Sequence, residues 1–381
     1  MLKKLIVCSI SLHLVFACSN AEKVAENQHA EQHTEASNAN GKASAPDYEQ
    51  AYSKFLEFVA QKQLLPGYQD FHSELSNTLA NVQSGCADMA LNTQELAQLQ
   101  DHWRAAMNHW QSVNWFKMGP VAAESRHSRI QYWPDGNQAV KRGVEKLLLS
   151  KTPVLDSLAN QNVGAQGLPA LEVLLFEPAV YSANPADKYC EVVQAIVSNL
   201  NQMATEVVAE WQKPNGFAAA FMQGQEPYSG TKDAMEELLS NWFEHFILLK
   251  DNKMTYPLGI SAPGIPQLAE SPFADHSMQN LRVNLAASAA LINENEAHNL
   301  VAILENAGKT ALAQQIKQQW LAVASAAASL PVSFTALLDD DAERAQLLKV
   351  KEEISNLQQL LAEDMTKSLQ LTIGFNALDG D

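Results

Sequence analysis

The run GLPALEVLLFEP, from Gly167 to Pro178, sets one carboxylate, Glu172, among Leu168, Leu171, Val173, Leu174, Leu175 and Phe176. A dry, unpaired carboxylate costs several kcal/mol or takes up a proton. Glu172 therefore needs a cation, a hydrogen-bond network or a proton, whether its role is structural or ligand-binding. The best partners on offer lie in ESRHSRIQYWPDGN, residues 124–137, which holds Arg126, His127, Arg129, Tyr132, Trp133 and Asp135. A bidentate Arg129–Glu172 pair is one way for a carboxylate to survive burial. Such a pair serves equally as a clamp between elements or as part of a ligand pocket. Asp135 sits in Pro134-Asp135-Gly136-Asn137, turn chemistry that can cap the next helix, or else it lines the same pocket.

Hydrolytic chemistry finds no support. H-E-x-x-H is absent, and Glu244-His245 has no second histidine four residues away. His102 and His109 stand seven apart on one helical stripe, too far to chelate an ion by themselves. His29 and His33 are four apart, but in a run without ordering residues. No G-x-S-x-G occurs. Glu172 is the only candidate metal ligand.

The elements that must position these residues are helices. Gly167 and Pro169 read as a sharp helix start, since proline in the first turn forfeits no needed hydrogen bond. Apolar on almost every side, that helix belongs at the centre of its bundle. Asn92-Thr93-Gln94-Glu95 resembles a capping box, and behind it Leu96, Leu99, Trp103, Met107 and Trp110 follow the helical stripe. A last long helix begins at Asp339-Asp340-Asp341 and carries Leu347, Val350, Ile354, Leu357, Leu361 and Met365 on one face. Similar stripes run through 48–82, 190–212, 231–250, 277–293, 296–306 and 309–329. Alternating strand patterns and Gly-rich phosphate loops are nearly absent, so the fold class is all-α, built from antiparallel helical bundles. Pro/Gly-rich stretches at 213–230 and 256–272 interrupt the helices, and the first marks a boundary between bundles at 47–212 and 213–381.

Lys3 and Lys4, the apolar segment to Ala17, and Cys18 describe a secretory leader of residues 1–17. Val15-Phe16-Ala17-Cys18 looks like a lipobox, with Cys18 lipidated and Ser19 matching lipoproteins sent to an outer membrane. Residues 18–46 carry no aromatic side chain and only one large aliphatic, Val24, the composition of a disordered tether. Cys8 leaves with the leader, so Cys86 and Cys190 are the even pair for a disulfide in an oxidising compartment. The formal charge is −17, and loss of a leader with two lysines and no acid makes it −19. A chain this acidic repels nucleic acid and attracts cations.

Taken together, Trp103 and Trp110 in W-x6-W, Gly119-Pro120, R-I-x-Y-W-P-D at 129–135, G-L-P-A-L-E-x-L-L-F at 167–176 and the closing GFNALDGD resemble the imelysin-like periplasmic lipoproteins. The resemblance spans nearly the whole mature chain. It implies two related helical bundles, an envelope location and a link to acquisition of iron or another cation. Phe375 and Leu378 point to a docked rather than solvated C-terminus, and an outer-membrane transport protein is the expected partner. The family signature is G-x-H-x-x-E. Gly167 and Glu172 match its ends, but Pro169 stands where the histidine belongs. A metal shared by His and Glu is thereby lost, and with it the support for the metallopeptidase role given to some members. The expectation is a non-catalytic binding protein whose site is lined or braced by Glu172, Arg129, Asp135, Trp133, Gly167 and Pro169. A divergent metal-dependent peptidase, or a helical docking protein without a small ligand, are the alternatives.

Overall fold

Apolar residues three and four apart account for the helices of the computed structural model, several of them opened by side-chain caps. It describes residues 47–155, 157–292 and 298–373. Helix α1 (Tyr48–Phe58) starts where the Asp47 carboxylate accepts the Gln50 N–H. It runs through a wider, i→i+5 turn at Val59–Leu64 into α2 (Leu65–Gly85). The capping box opens α3 (Thr93–Val113): Asn92 accepts the Gln94 and Glu95 N–H groups, and the Glu95 carboxylate accepts the Asn92 N–H. Its stripe of Leu99, Trp103, Met107 and Trp110 is buried. There follow α4 (Arg126–Ile130), α5 (Ala139–Leu148), α6 (Gly167–Phe176), α7 (Pro178–Ala183) and α8 (Ala186–Trp211). Helix α2 packs on α3 and α8, and α6 lies against α3, α5 and α8. The Cys86–Cys190 disulfide joins the end of α2 to the start of α8.

Within the Pro/Gly-rich stretch at 213–230 the chain forms a short helix, α9 (Phe217–Gln223), which Gly224 ends at a φ of +59°. Helix α10 (Thr231–Ile247) widens at Leu248–Thr255 and ends in α11 (Tyr256–Leu258). Then come α12 (Ser277–Ile292), α13 (Leu300–Asn306), α14 (Thr310–Ala328), α15 (Phe334–Asp339) and α16 (Asp341–Gln359). The Asp340 carboxylate caps α16, which widens at Leu360–Met365 and ends in α17 (Thr366–Ser368). Helix α14 packs on α16, α12 packs on both α14 and α3, and α1 packs on α10, so helices from either side of residue 213 meet. Among the described residues there is no strand, and no helix is long and apolar enough to cross a membrane. The leader, Cys18, the tether with its histidines, and GFNALDGD lie outside the described residues.

Candidate functional site

Gly167 decides where α6 begins. Its φ is +79°, and a Cβ there would stand 2.4 Å from the carbonyl oxygens of both Arg129 and Ile130. Only glycine lets α6 start directly on the end of α4, so its role is to bring the two segments together. Pro169 follows in the first turn, where its missing N–H costs nothing. Five residues from Gly167, about 7.5 Å along the helix axis, stands Glu172.

Glu172 lines a cleft of about 490 Å³. One wall is the segment after α4, with Tyr132, Trp133 and Asp135; the next is Pro169, Glu172 and Val173 of α6. Asn252, from the widened end of α10, and Tyr256, from α11, form a third, and residues 267–273 close the fourth. The long stretch at 256–272 thus builds much of the cavity. A cleft of this size, lined mainly by apolar and aromatic groups with a few placed polar ones, suits a small organic ligand.

The Glu172 carboxylate is 3% exposed, and its Oε1 accepts the backbone N–H groups of Phe273 (2.9 Å) and Ala274 (3.0 Å). Burial pushes the carboxyl up to about 8; the two N–H bonds pull against that, and the nearby Glu270 charge adds to it. At neutral pH it therefore holds a proton. The expected Arg129–Glu172 pair does not form. Arg129 instead donates from Nε to Gln166 Oε1 (3.2 Å) and from a terminal nitrogen to Asn199 Oδ1 (3.4 Å). The reason is the Gly167 contact. With α6 seated on the Arg129 carbonyl, the Arg129 side chain reaches the start of α6 and α8, while Glu172 sits more than a turn further along.

Asp135 takes the capping role, accepting the N–H groups of Ala139 and Val140 (2.8 Å each) at the start of α5, and it also lines the cleft. The Trp133 ring faces the cleft, with the Lys253 ammonium 5.9 Å from its centroid.

Behind Trp133 lies a polar cluster that the sequence reading did not find. Lys253 Nζ donates to Glu270 Oε2 (2.7 Å), Gln111 Oε1 (2.8 Å) and Asn284 Oδ1 (2.6 Å). Glu270 Oε1 accepts from Gln111 (3.0 Å) and Gln131 (2.8 Å), and Gln131 Oε1 accepts the Trp110 indole N–H (2.7 Å). All these groups are buried. Burial lowers the Lys253 ammonium, and the Glu270 carboxylate opposes the shift. With every ammonium proton placed, the cluster meets the condition under which a buried ion pair is tolerated. Signals for it existed: Lys253 continues the Trp242, Phe246, Leu249 stripe, and Asn280, Asn284 and Ser288 repeat every four residues along α12. Nearby, His245 is wholly buried, with neither ring nitrogen hydrogen-bonded among the described residues. Burial, then the Lys253, Lys117 and His127 charges, hold it well below the usual histidine range, so it is neutral.

These residues do not fit a protein-built metal site. Among the described residues no group of three or more His, Cys, Asp or Glu side chains could hold an ion. One Glu172 oxygen is committed to two N–H donors, and Pro169 offers no ligand.

The family model for imelysin (peptidase M75) matches residues 64–361. The chain belongs to the imelysin family. Two solved structures share the fold of this imelysin-family chain. An imelysin-like protein from Psychrobacter arcticum aligns with a TM-score of 0.72 at 21% identity, over 86% of this chain and 98% of that one. A Parabacteroides distasonis protein, provisionally assigned as an iron-regulated protein A precursor, aligns at 0.69 and 18% identity, over 86% and 97%. At these identities the likeness concerns the fold. No curated protein matches the chain.

Proposed function

We propose that this imelysin-family protein is a non-catalytic binding protein of the cell envelope, held to the outer membrane through lipidated Cys18. It serves uptake of iron or another cation and holds its ligand in the cleft over Glu172. The observation that carries this reading is Glu172 itself. It is a buried carboxyl in a cleft wall, with Oε1 held by Phe273 and Ala274 and no basic side chain paired with it among the described residues. A group kept at that cost of desolvation is a site candidate when it faces a cavity. The iron-regulated assignment of one structural neighbour agrees with the iron link. The cleft brings together no metal-activated nucleophile, so the peptidase alternative gains nothing from it. Docking on an outer-membrane transporter draws on a separate observation, the exposed Tyr256, Leu268 and Phe273 of the cleft wall, with Ile260 and Ile265 exposed in the same stretch of chain.

The test is to purify the mature protein, measure co-purified metals, and titrate iron, zinc and haem against wild type and Glu172→Gln. Binding that the substitution removes supports the reading. If wild type and variant bind neither these nor any other cationic ligand, the reading fails. Metal-dependent cleavage of peptides would bring the peptidase back.

A further inference from the structure

The cleft is far larger than an ion needs, and its walls are not those of an ion cage. A hard divalent cation takes about six oxygen ligands. Here nearly every charged oxygen facing the cavity is already used. Both Asp135 oxygens cap α5. Both Glu270 oxygens are spent on Lys253, Gln111 and Gln131. Glu172 Oε1 holds two backbone N–H groups, which leaves Glu172 Oε2 as the carboxyl oxygen without a hydrogen-bond partner among the described residues. The rings of Tyr132, Trp133, Tyr256 and Phe273 line the same cleft. Two of them are open to solvent from the mouth, Tyr256 at 56% and Phe273 at 41%.

One available carboxyl oxygen in a cleft with aromatic residues in its walls is a recognition pattern for a cationic nitrogen on an apolar body. The rings attract the cation through their quadrupoles, and the carboxylate supplies a charge-assisted hydrogen bond. An arriving cation favours the ionised carboxyl, so binding releases the proton that Glu172 holds in the empty cleft. The chain's acidic excess, −17 overall, adds long-range attraction of the same sign. Lys141 at the rim is exposed, and Lys253 is neutralised by Glu270, so neither opposes a cation at Glu172.

We infer that the cleft takes an organic cation, an aromatic or otherwise flat molecule with one protonated nitrogen, rather than a bare metal ion. The nitrogen donates to Glu172 Oε2, and the apolar body packs between Trp133 and the Tyr256 and Phe273 rings. This rests on the proposed binding role and narrows its ligand class.

The probes are 1-naphthylmethylammonium, its uncharged counterpart 1-naphthylmethanol, and ferric and zinc ions alone, each titrated calorimetrically into the full mature protein. At pH 8.5, where Glu172 is largely ionised and the probe still protonated, the ammonium is expected to bind wild type about tenfold or more tighter than the alcohol, the margin of a charge-assisted over a neutral hydrogen bond. Glu172→Gln should erase that margin, and Trp133→Leu should weaken both organic probes. The wild-type comparison stands even if a variant folds poorly. Equal binding of ammonium and alcohol overturns the inference. So does Glu172-dependent binding of a metal ion with no binding of the ammonium, an outcome that leaves the broader binding role intact. Failure of every probe and both ions overturns the two together.

Discussion

Replacing Glu172 with glutamine tests the energetics of the cleft without disturbing its geometry, because the amide oxygen can still accept the Phe273 and Ala274 N–H groups. In the unfolded chain the carboxyl titrates near its ordinary 4.5; in the folded protein it titrates at about 8. Between those values the folded state binds the extra proton. Stability is therefore greatest at the acid end of the window and is lost as pH rises through the folded value. Each pH unit within the window costs about 1.4 kcal/mol, so wild type should lose on the order of 4 kcal/mol between pH 5 and pH 9 that the variant does not. The amide of the Glu172→Gln variant does not titrate and carries no such dependence. Urea unfolding followed by tryptophan fluorescence at pH 5, 6, 7, 8 and 9 reads the difference directly. The wild-type midpoint should fall against the variant's by on the order of 1 M urea across the series. If the two midpoints stay apart by a constant amount, within about 0.2 M, Glu172 is not protonated by folding and the account of its burial is wrong.

Gly167→Ala should destabilise by more than about 2 kcal/mol in the same assay, since the added carbon meets two carbonyl oxygens at a positive φ. Lys253→Met should cost about 3–5 kcal/mol by stranding Glu270, and adding Glu270→Gln should recover part of that loss. His245→Leu removes two ring nitrogens without partners and should be neutral or stabilising by about 1 kcal/mol; a loss above about 2 kcal/mol would reveal a hidden partner. Arg129→Leu and Glu172→Gln should combine additively to within about 0.5 kcal/mol, because the two side chains bond to different groups.

The parts of this molecule that rest on local chemistry were readable from its residues. The capping box at Asn92, the cap at Asp340, the buried tryptophan stripe and the start of α6 are all settled within a few positions of sequence. The Cys86–Cys190 bridge followed from compartment and count. What could not be read depends on where distant segments meet. Arg129 lost its expected partner because one glycine sets the depth at which α6 sits on α4. Glu270 comes from an irregular stretch with no periodicity to announce it. Lys253 was visible only as a misfit on an apolar stripe, and the widened turn at Leu248–Thr255 brings it under Trp133. Asp135 was found but not resolved: the structure gives it the cap and a place in the cleft wall together.

The Glu172 clamp grips main chain, not side chains. Its two donors are the amides of residues 273 and 274, groups that every amino acid except proline supplies. The cleft rim is therefore fastened in a way that is blind to the identity of what it fastens. Substitutions at Phe273 can reshape the mouth while the fastening stays.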